Sequence, residues 1–168
     1  MRRYNDQISM NNVFLITGGN MGDRLQNLET ALEEITIQIG TILKKSSIYE
    51  TAPWGIADQP AFFNQVLLIH SLLSPQDILR TILKIETNMG RKRNEKFGPR
   101  IIDIDLLFYN ELILNSIDLV IPHPEIAFRR FVLIPLAEIG KNLEHPVLKK
   151  TVSQLLKECP DHLPVAKI

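Results

Sequence analysis

Two carboxylates stand two residues apart in an apolar run, Ile101-Ile102-Asp103-Ile104-Asp105-Leu106-Leu107-Phe108-Tyr109. A basic stretch holding Arg91, Arg93 and Arg100 precedes them, with the turn dipeptide Gly98-Pro99 at the junction. An apolar run of this composition predicts a strand from Ile101, and a strand places residues two apart on one face. Asp103 and Asp105 are therefore expected side by side, with Ile102, Ile104, Leu106 and Phe108 on the opposite face. Two such acids repel unless a cation stands between them. A hard divalent ion such as Mg²⁺ suits an oxygen-only pair and keeps positions open for water and phosphate. Guanidinium groups match phosphate oxygens as planar forks. Acids and arginines together form the kind of set that holds a metal–nucleotide complex. The plainer reading is a solvated strand face or a charged sheet edge.

The elements that would position this set follow from the rest of the chain. Val13–Thr17 reads as a first strand. Asp23 caps a helix with Gln26 completing a capping box, and Leu25, Leu28, Leu32 and Ile35 form its buried stripe. Thr41–Tyr49 reads as one strand. Thr51 to Pro60 is a loop by its proline and glycine content and carries the only tryptophan, Trp54, as an anchor on the core or part of a lid. Phe62–His70 is the next strand. Phe62 and Asn64 share one face of it, an aromatic plate beside an amide that can donate and accept. Ser74-Pro75 opens a second helix with Ile78, Ile82, Ile85 and Met89 buried, and Gly90 ends it. Glu86 sits near that helix's C-terminus, where an acid opposes the dipole. After the acid-bearing strand, Asn110-Glu111 turns the chain so that Leu112–Leu114 pairs back as a hairpin. His123 is held between two prolines. Arg129-Arg130 precedes a helix over Phe131–Ile139, and Val152–Leu156 is a short amphipathic piece.

The order strand, helix, strand, strand, helix, strand predicts an α+β, ferredoxin-like β-α-β-β-α-β core with a C-terminal hairpin and helical additions. The two helices cover one sheet face and leave the other, or its rim, to a ligand. Residues 1–12 read as a flexible N-terminal extension and residues 13–168 as a single domain. Nineteen basic and nineteen acidic side chains give zero net charge, which argues against a general nucleic-acid or anionic-membrane binder. No apolar run is long enough to cross a bilayer. The single cysteine, Cys159, cannot form an internal disulfide, consistent with a reducing cytosol.

Several motifs agree in order with one family. Gly98-Pro99-Arg100-Ile101-Ile102-Asp103-Ile104-Asp105-Leu106-Leu107, Gly18-Gly19-Asn20, Thr51 to Gly55, Asp58-Gln59-Pro60 with Phe62 and Asn64, Glu86, Gly90-Arg91-x-Arg93, Pro122-His123, and Arg129 with Phe131 resemble the 6-hydroxymethyl-7,8-dihydropterin pyrophosphokinases of folate biosynthesis. The resemblance spans roughly Val13 to Gly140. It implies an ATP-dependent diphosphotransferase that moves pyrophosphate from ATP to the pterin hydroxymethyl group and releases AMP. It further implies that Asp103 and Asp105 ligate two Mg²⁺ ions and that Arg91 and Arg100 stabilise the transferring phosphates. Glu86, Arg91, Arg93, Arg100, His123 and Arg129 would bind ATP. Thr51, Pro53, Trp54, Gly55, Phe62, Asn64 and Phe131 would bind the pterin. The setting it implies is a cytoplasmic monomer acting on small molecules, with neither nucleic acid nor membrane as partner. The chain departs from the family in Gly19, where Ser is common, and Phe97, where Trp is common. The rival readings are another Mg-dependent phospho- or nucleotidyltransferase acting on a heterocycle, and an RNA-binding module of the same fold.

Overall fold

The apolar run Val13-Phe14-Leu15-Ile16 is buried on both sides, which makes β1 (Asn11–Gly19) a central strand. A computed structural model describes residues 10–92 and 98–168. Arg93 and Phe97, and residues 1–9 of the expected extension, lie outside the described residues. β1 itself starts at Asn11, two residues before the predicted strand.

After β1 come α1 (Arg24–Gln38), β2 (Thr41–Lys45), β3 (Tyr49–Thr51), β4 (Phe62–Ser71), α2 (Pro75–Asn88) and β5 (Asp103–Tyr109). The main sheet runs β5-β1-β4-β3, with β2 also on β4, and every pairing is antiparallel. This is the ferredoxin-like arrangement. α1 and α2 bury Leu28, Ala31, Ile35, Ile78, Ile82 and Ile85 against Val13, Leu15, Leu67, Ile69, Ile104 and Leu106. Each of the Leu, Ile and Val side chains contributes about 1.5–3 kcal/mol of burial, and Ala31 about 0.8 kcal/mol. Ser74 caps α2 by accepting from the Asp77 N–H, and Pro75 takes the first helical position. Gly90, at φ +90°, ends it in the left-handed conformation that glycine tolerates.

The second face is only partly open. α3 (Arg130–Gly140) and α4 (Val152–Glu158) pack on Phe14, Ile16, Val66 and Phe108. That leaves one end of the face uncovered, where Gly18, Asn64 and Asp103 lie. α4 carries a reciprocal capping box between Thr151 and Gln154. Glu138 of α3 accepts from the Tyr49 hydroxyl (2.7 Å) and the Ser47 amide (3.0 Å), which ties the helix to β3.

Five local expectations are corrected. Thr41–Tyr49 is two strands, because at Ser46 the hydroxyl accepts from the Val66 N–H (3.0 Å) and the backbone steps out of register between β2 and β3. Leu25 is 46% exposed, since the buried stripe of α1 begins a turn later at Leu28. Asp23 does accept from the Gln26 N–H, but the Gln26 amide turns to Thr30, so no reciprocal box forms. Phe108 lies on the α3 side with Leu107, because the register between β1 and β5 shifts where Leu107 is inserted. Leu112–Leu114 does not pair back on β5; β6 (Leu114–Asn115) pairs with β7 (Val120–Ile121) instead. The chain's last strand, β8 (Val165–Lys167), joins the sheet edge on β3 and had no clear signal in the sequence.

His145 fastens the loop before α4. Its Nδ1 accepts from the Val147 and Leu148 amides (3.3 and 3.2 Å), and its ring stands edge-on to Phe108. Burial lowers its pKa, so the folded state favours the neutral ring. The unfolded chain then binds the proton more tightly, and stability present above the ordinary histidine value of about 6.5 is lost as pH falls through it. In thermal melts from pH 7.5 to 5, His145→Asn, which keeps an acceptor for the same amides, is expected to show a shallower decline than the parent. Parallel curves would contradict this role.

Candidate active site

The uncovered end of the sheet is a cavity lined by Ile16, Gly18, Thr51, Ala52, Trp54, Phe62, Asn64, Arg100, Asp103, Asp105, Arg129 and Phe131. Asp103 pairs with Gly18 and Asp105 with Ile16, so β5 presents both acids on the cavity face. The two-residue spacing on a strand places them there.

The acids differ in surroundings. Asp103 is gripped from two sides: Arg91 reaches one carboxylate oxygen at 2.5 Å and Arg100 the other at 2.6 Å. Arg91 is itself held at 2.5 Å by Glu86, which is only 2% exposed and also accepts from the Ile104 N–H at 2.8 Å. Glu86 thus sits beneath the cavity rather than in its lining and acts on it through Arg91. Asp105 is half-buried in the cavity wall. Burial first, and then the charges of Asp103 and Glu86, push its pKa up to about 7, against the opposing pull of Arg129 and Arg91. A carboxyl so placed gains from any cation brought to it. The two aspartates fit a hard oxygen-seeking ion in chemistry and placement. No cluster of three or more His, Cys, Asp or Glu surrounds them among the described residues. Water and a ligand's phosphate oxygens would have to complete such an ion's coordination.

The other half of the cavity is apolar with polar edges. Phe62 and Phe131 come from β4 and the first turn of α3. The Asn64 amide donates to the Thr51 hydroxyl at 2.7 Å. Its oxygen faces Gly18, where a Cβ would come within 2.1 Å, so only glycine admits the amide there. Arg100 lies 5.5 Å from the Phe62 ring centre, and Arg129 lies 4.9 Å from Trp54 and 5.9 Å from Phe131. His123 flanks the acids. Burial, with the charge of Arg129, lowers its pKa, and its Nδ1 accepts from the Glu125 amide at 3.2 Å. Pro53 and Gly55 shape the β3–β4 loop without lining the cavity, Gly55 at φ +95°.

Asn20 directly follows Gly18-Gly19, and its residue type alone assigns it no role. It is buried and joins the β3–β4 loop to the arginine-bearing segment. Its amide nitrogen donates to Gln59 (3.0 Å) and the Pro60 carbonyl (2.9 Å), and its oxygen accepts from the Arg100 N–H (2.9 Å). An Asn directly after a Gly-Gly strand end was the available signal. Ala52 and Ile16 also line the cavity and carried no signal beyond their neighbours.

A family model described as 7,8-dihydro-6-hydroxymethylpterin-pyrophosphokinase matches residues 14–141. A 2-amino-4-hydroxy-6-hydroxymethyldihydropteridine pyrophosphokinase of Synechocystis sp. is 41% identical over 152 residues, covering 89% of this chain and 77% of its own length. The Aquifex aeolicus protein of the same name is 38% identical, covering 89% and 92%. The folic acid synthesis protein fol1 of Pneumocystis carinii is 38% identical over 89% of this chain, which spans only 20% of that longer protein. Among solved structures, wild-type Plasmodium falciparum HPPK-DHPS with pteroate superposes with a TM-score of 0.76 at 18% identity, over 89% of this chain and 44% of that one. At that identity the likeness speaks to the fold alone.

Removing the Glu86 carboxylate leaves the Ile104 N–H and the Arg91 guanidinium without this acceptor in a buried setting. Glu86→Ala is expected to cost about 3–5 kcal/mol in urea unfolding, as for a buried ion pair that loses one member. Glu86→Gln keeps an oxygen for the Ile104 N–H and should cost clearly less. Equal, small effects of both would show that Glu86 does not anchor the arginine.

Proposed function

The chain belongs to the 7,8-dihydro-6-hydroxymethylpterin-pyrophosphokinase family, and from that premise we propose that it transfers pyrophosphate from ATP to 6-hydroxymethyl-7,8-dihydropterin for folate synthesis. The products are AMP and the pterin diphosphate. The observation that carries this reading is one cavity with two unlike halves: an acid pair under two arginines, and an aromatic–amide slot beside it. The first half suits a metal–triphosphate and the second a flat heterocycle with donors and acceptors on its edge.

Asp103 and Asp105 would hold two Mg²⁺ ions. When bound, such ions neutralise phosphate charge and acidify a hydroxyl that they contact. The protein's own work is placement. Phe62 and Phe131 hold the pterin ring from β4 and α3. Asn64, fixed by Thr51, reads its edge together with the loop from Thr51 through Pro53, Trp54 and Gly55. This aims the hydroxymethyl oxygen at the β-phosphorus. The new bond forms from that oxygen to the β-phosphorus as its proton passes to water and the bridge to the α-phosphate breaks, and AMP leaves with the bridging electrons. Positioning and charge neutralisation supply most of the catalysis in transfers of this kind.

Arg91 and Arg100 serve the phosphates. Each now grips Asp103, and phosphate oxygens offer the same guanidinium forks an alternative acceptor. Turning to phosphate frees the Asp103 oxygens for a cation. Glu86 keeps Arg91 within reach of both. Arg93, His123 and Arg129 complete the ATP side. Zero net charge supports small molecules rather than nucleic acid as partners, and a lone cysteine supports a cytoplasmic setting; the chain acts there as a monomer.

The test is product analysis with ATP, Mg²⁺ and the pterin. AMP and pterin diphosphate in equal amounts, lost in Asp103→Ala and in Asp105→Ala with the fold intact, are expected. ADP in place of AMP would overturn the site of attack, and near-normal activity in either variant would overturn the metal ligands. Arg100→Ala is expected to lower kcat about 10²–10³-fold, as for loss of one charge-stabilising donor, with a smaller change in KM for the pterin.

A further inference from the structure

Arg129 differs from the other cavity arginines. Arg91 and Arg100 each meet a carboxylate at 2.5–2.6 Å. The nearest carboxylate to Arg129, that of Glu125, is 3.9 Å away, and its buried Nε finds no hydrogen-bond partner among the described residues. A buried donor left without an acceptor is costly. What holds this guanidinium is aromatic: the Trp54 ring at 4.9 Å and the Phe131 ring at 5.9 Å. Trp54 belongs to the β3–β4 loop, whereas Arg129 directly precedes α3. Their stack therefore closes the loop against the helix that carries Phe131.

We propose that Trp54 is a positioning residue: its ring holds the Arg129 guanidinium in the cavity wall with the free Nε–H available to an acceptor on the bound substrates. This deepens the pyrophosphokinase reading above and rests on it. A flat indole face attracts a guanidinium without supplying a hydrogen-bond acceptor, so it fixes the cation while leaving its donors unspent. A carboxylate in the same place would consume them. The same stack brings a positive charge toward Asp105, on whose carboxyl Arg129 acts as a stabilising charge. Trp54 thus connects the loop on the heterocycle side to the cation on the acid side.

Trp54 is the only tryptophan in the chain, so its emission reports the stack directly. Arg129→Met is expected to shift the emission of the ligand-free protein. An unchanged spectrum would overturn the stack without reference to any activity. In steady-state kinetics, Trp54→Leu, which keeps apolar bulk, is expected to lower kcat about tenfold, the scale of a desolvated cation–π contact. Trp54→Phe should recover most of that loss. Trp54→Leu combined with Arg129→Met should be no worse than Arg129→Met alone. Additive losses, or a change confined to KM for the pterin, would make Trp54 a plain wall of the slot and overturn the proposal. If the parent protein shows no turnover, the same cycle read as calorimetric affinity for the pterin and for Mg-ATP decides the point. Failure of the pyrophosphokinase reading and failure of the Trp54 role then give different results.

Discussion

Negative charge crowded at one end of an apolar sheet is the constraint to which the rest of this structure responds. Partial burial, with Asp103 two residues away and Glu86 behind, lifts the Asp105 pKa to about 7. An isolated cluster of this kind would be strongly unfavourable. Arg91 and Arg100 grip Asp103, Glu86 grips Arg91, and Arg129 stands off under aromatic cover. Asp103, Asp105 and Glu86 are matched in number by Arg91, Arg100 and Arg129. The balance is held by guanidinium–carboxylate contacts, and on the function proposed above phosphate takes them over, so that the same groups serve both fold and ligand.

Such a cluster needs rigid supports. β1 and β4 provide them as central strands filled with Val, Ile, Leu and Phe, locked by α1 and α2 on one side and α3 and α4 on the other. Packing stops where β1 ends in Gly18-Gly19. A Cβ at Gly18 would strike the Asn64 side chain at 2.1 Å, and one at Gly19 would strike the Ile101 carbonyl at 2.2 Å. Two glycines in succession let β4 and the segment before β5 close in on the strand end. Asn20 then laces the two together through Gln59, Pro60 and Arg100. The site begins where side-chain packing gives way to close approach of backbone.

The parts of this fold that rest on periodicity were legible in the sequence. The alternation around Asp103 and Asp105, the stripe of α2 and the Ser74-Pro75 helix start each reflect a local rule and each appear in the structure. Features that depend on distant partners were not. Ser46 breaks a strand because its hydroxyl meets Val66, twenty residues away. Phe108 changes face because β5 carries an extra residue relative to β1. The shared lining of Phe62, Asn64, Asp103, Asp105 and Phe131 was reached through family resemblance, since no spacing rule joins β4, β5 and α3. Asn20 shows the difference most clearly: its residue type and turn position were visible, but its three partners come from two other segments.

β8 carries a further consequence. Its three residues pair with Tyr49, Glu50 and Thr51, and the Pro164 carbonyl accepts from the Ala52 N–H at 3.3 Å. The strand that leads into the β3–β4 loop is therefore completed by residues more than a hundred positions further along. Pairings this remote in sequence form late, because loop closure must precede any contact that rewards it. During synthesis, the sheet core from β1 to β5 can assemble while the edge beside Thr51 still lacks its neighbour. The emerging protein would acquire its scaffold before the β3–β4 loop is fastened, and that fastening waits for β8 to be translated.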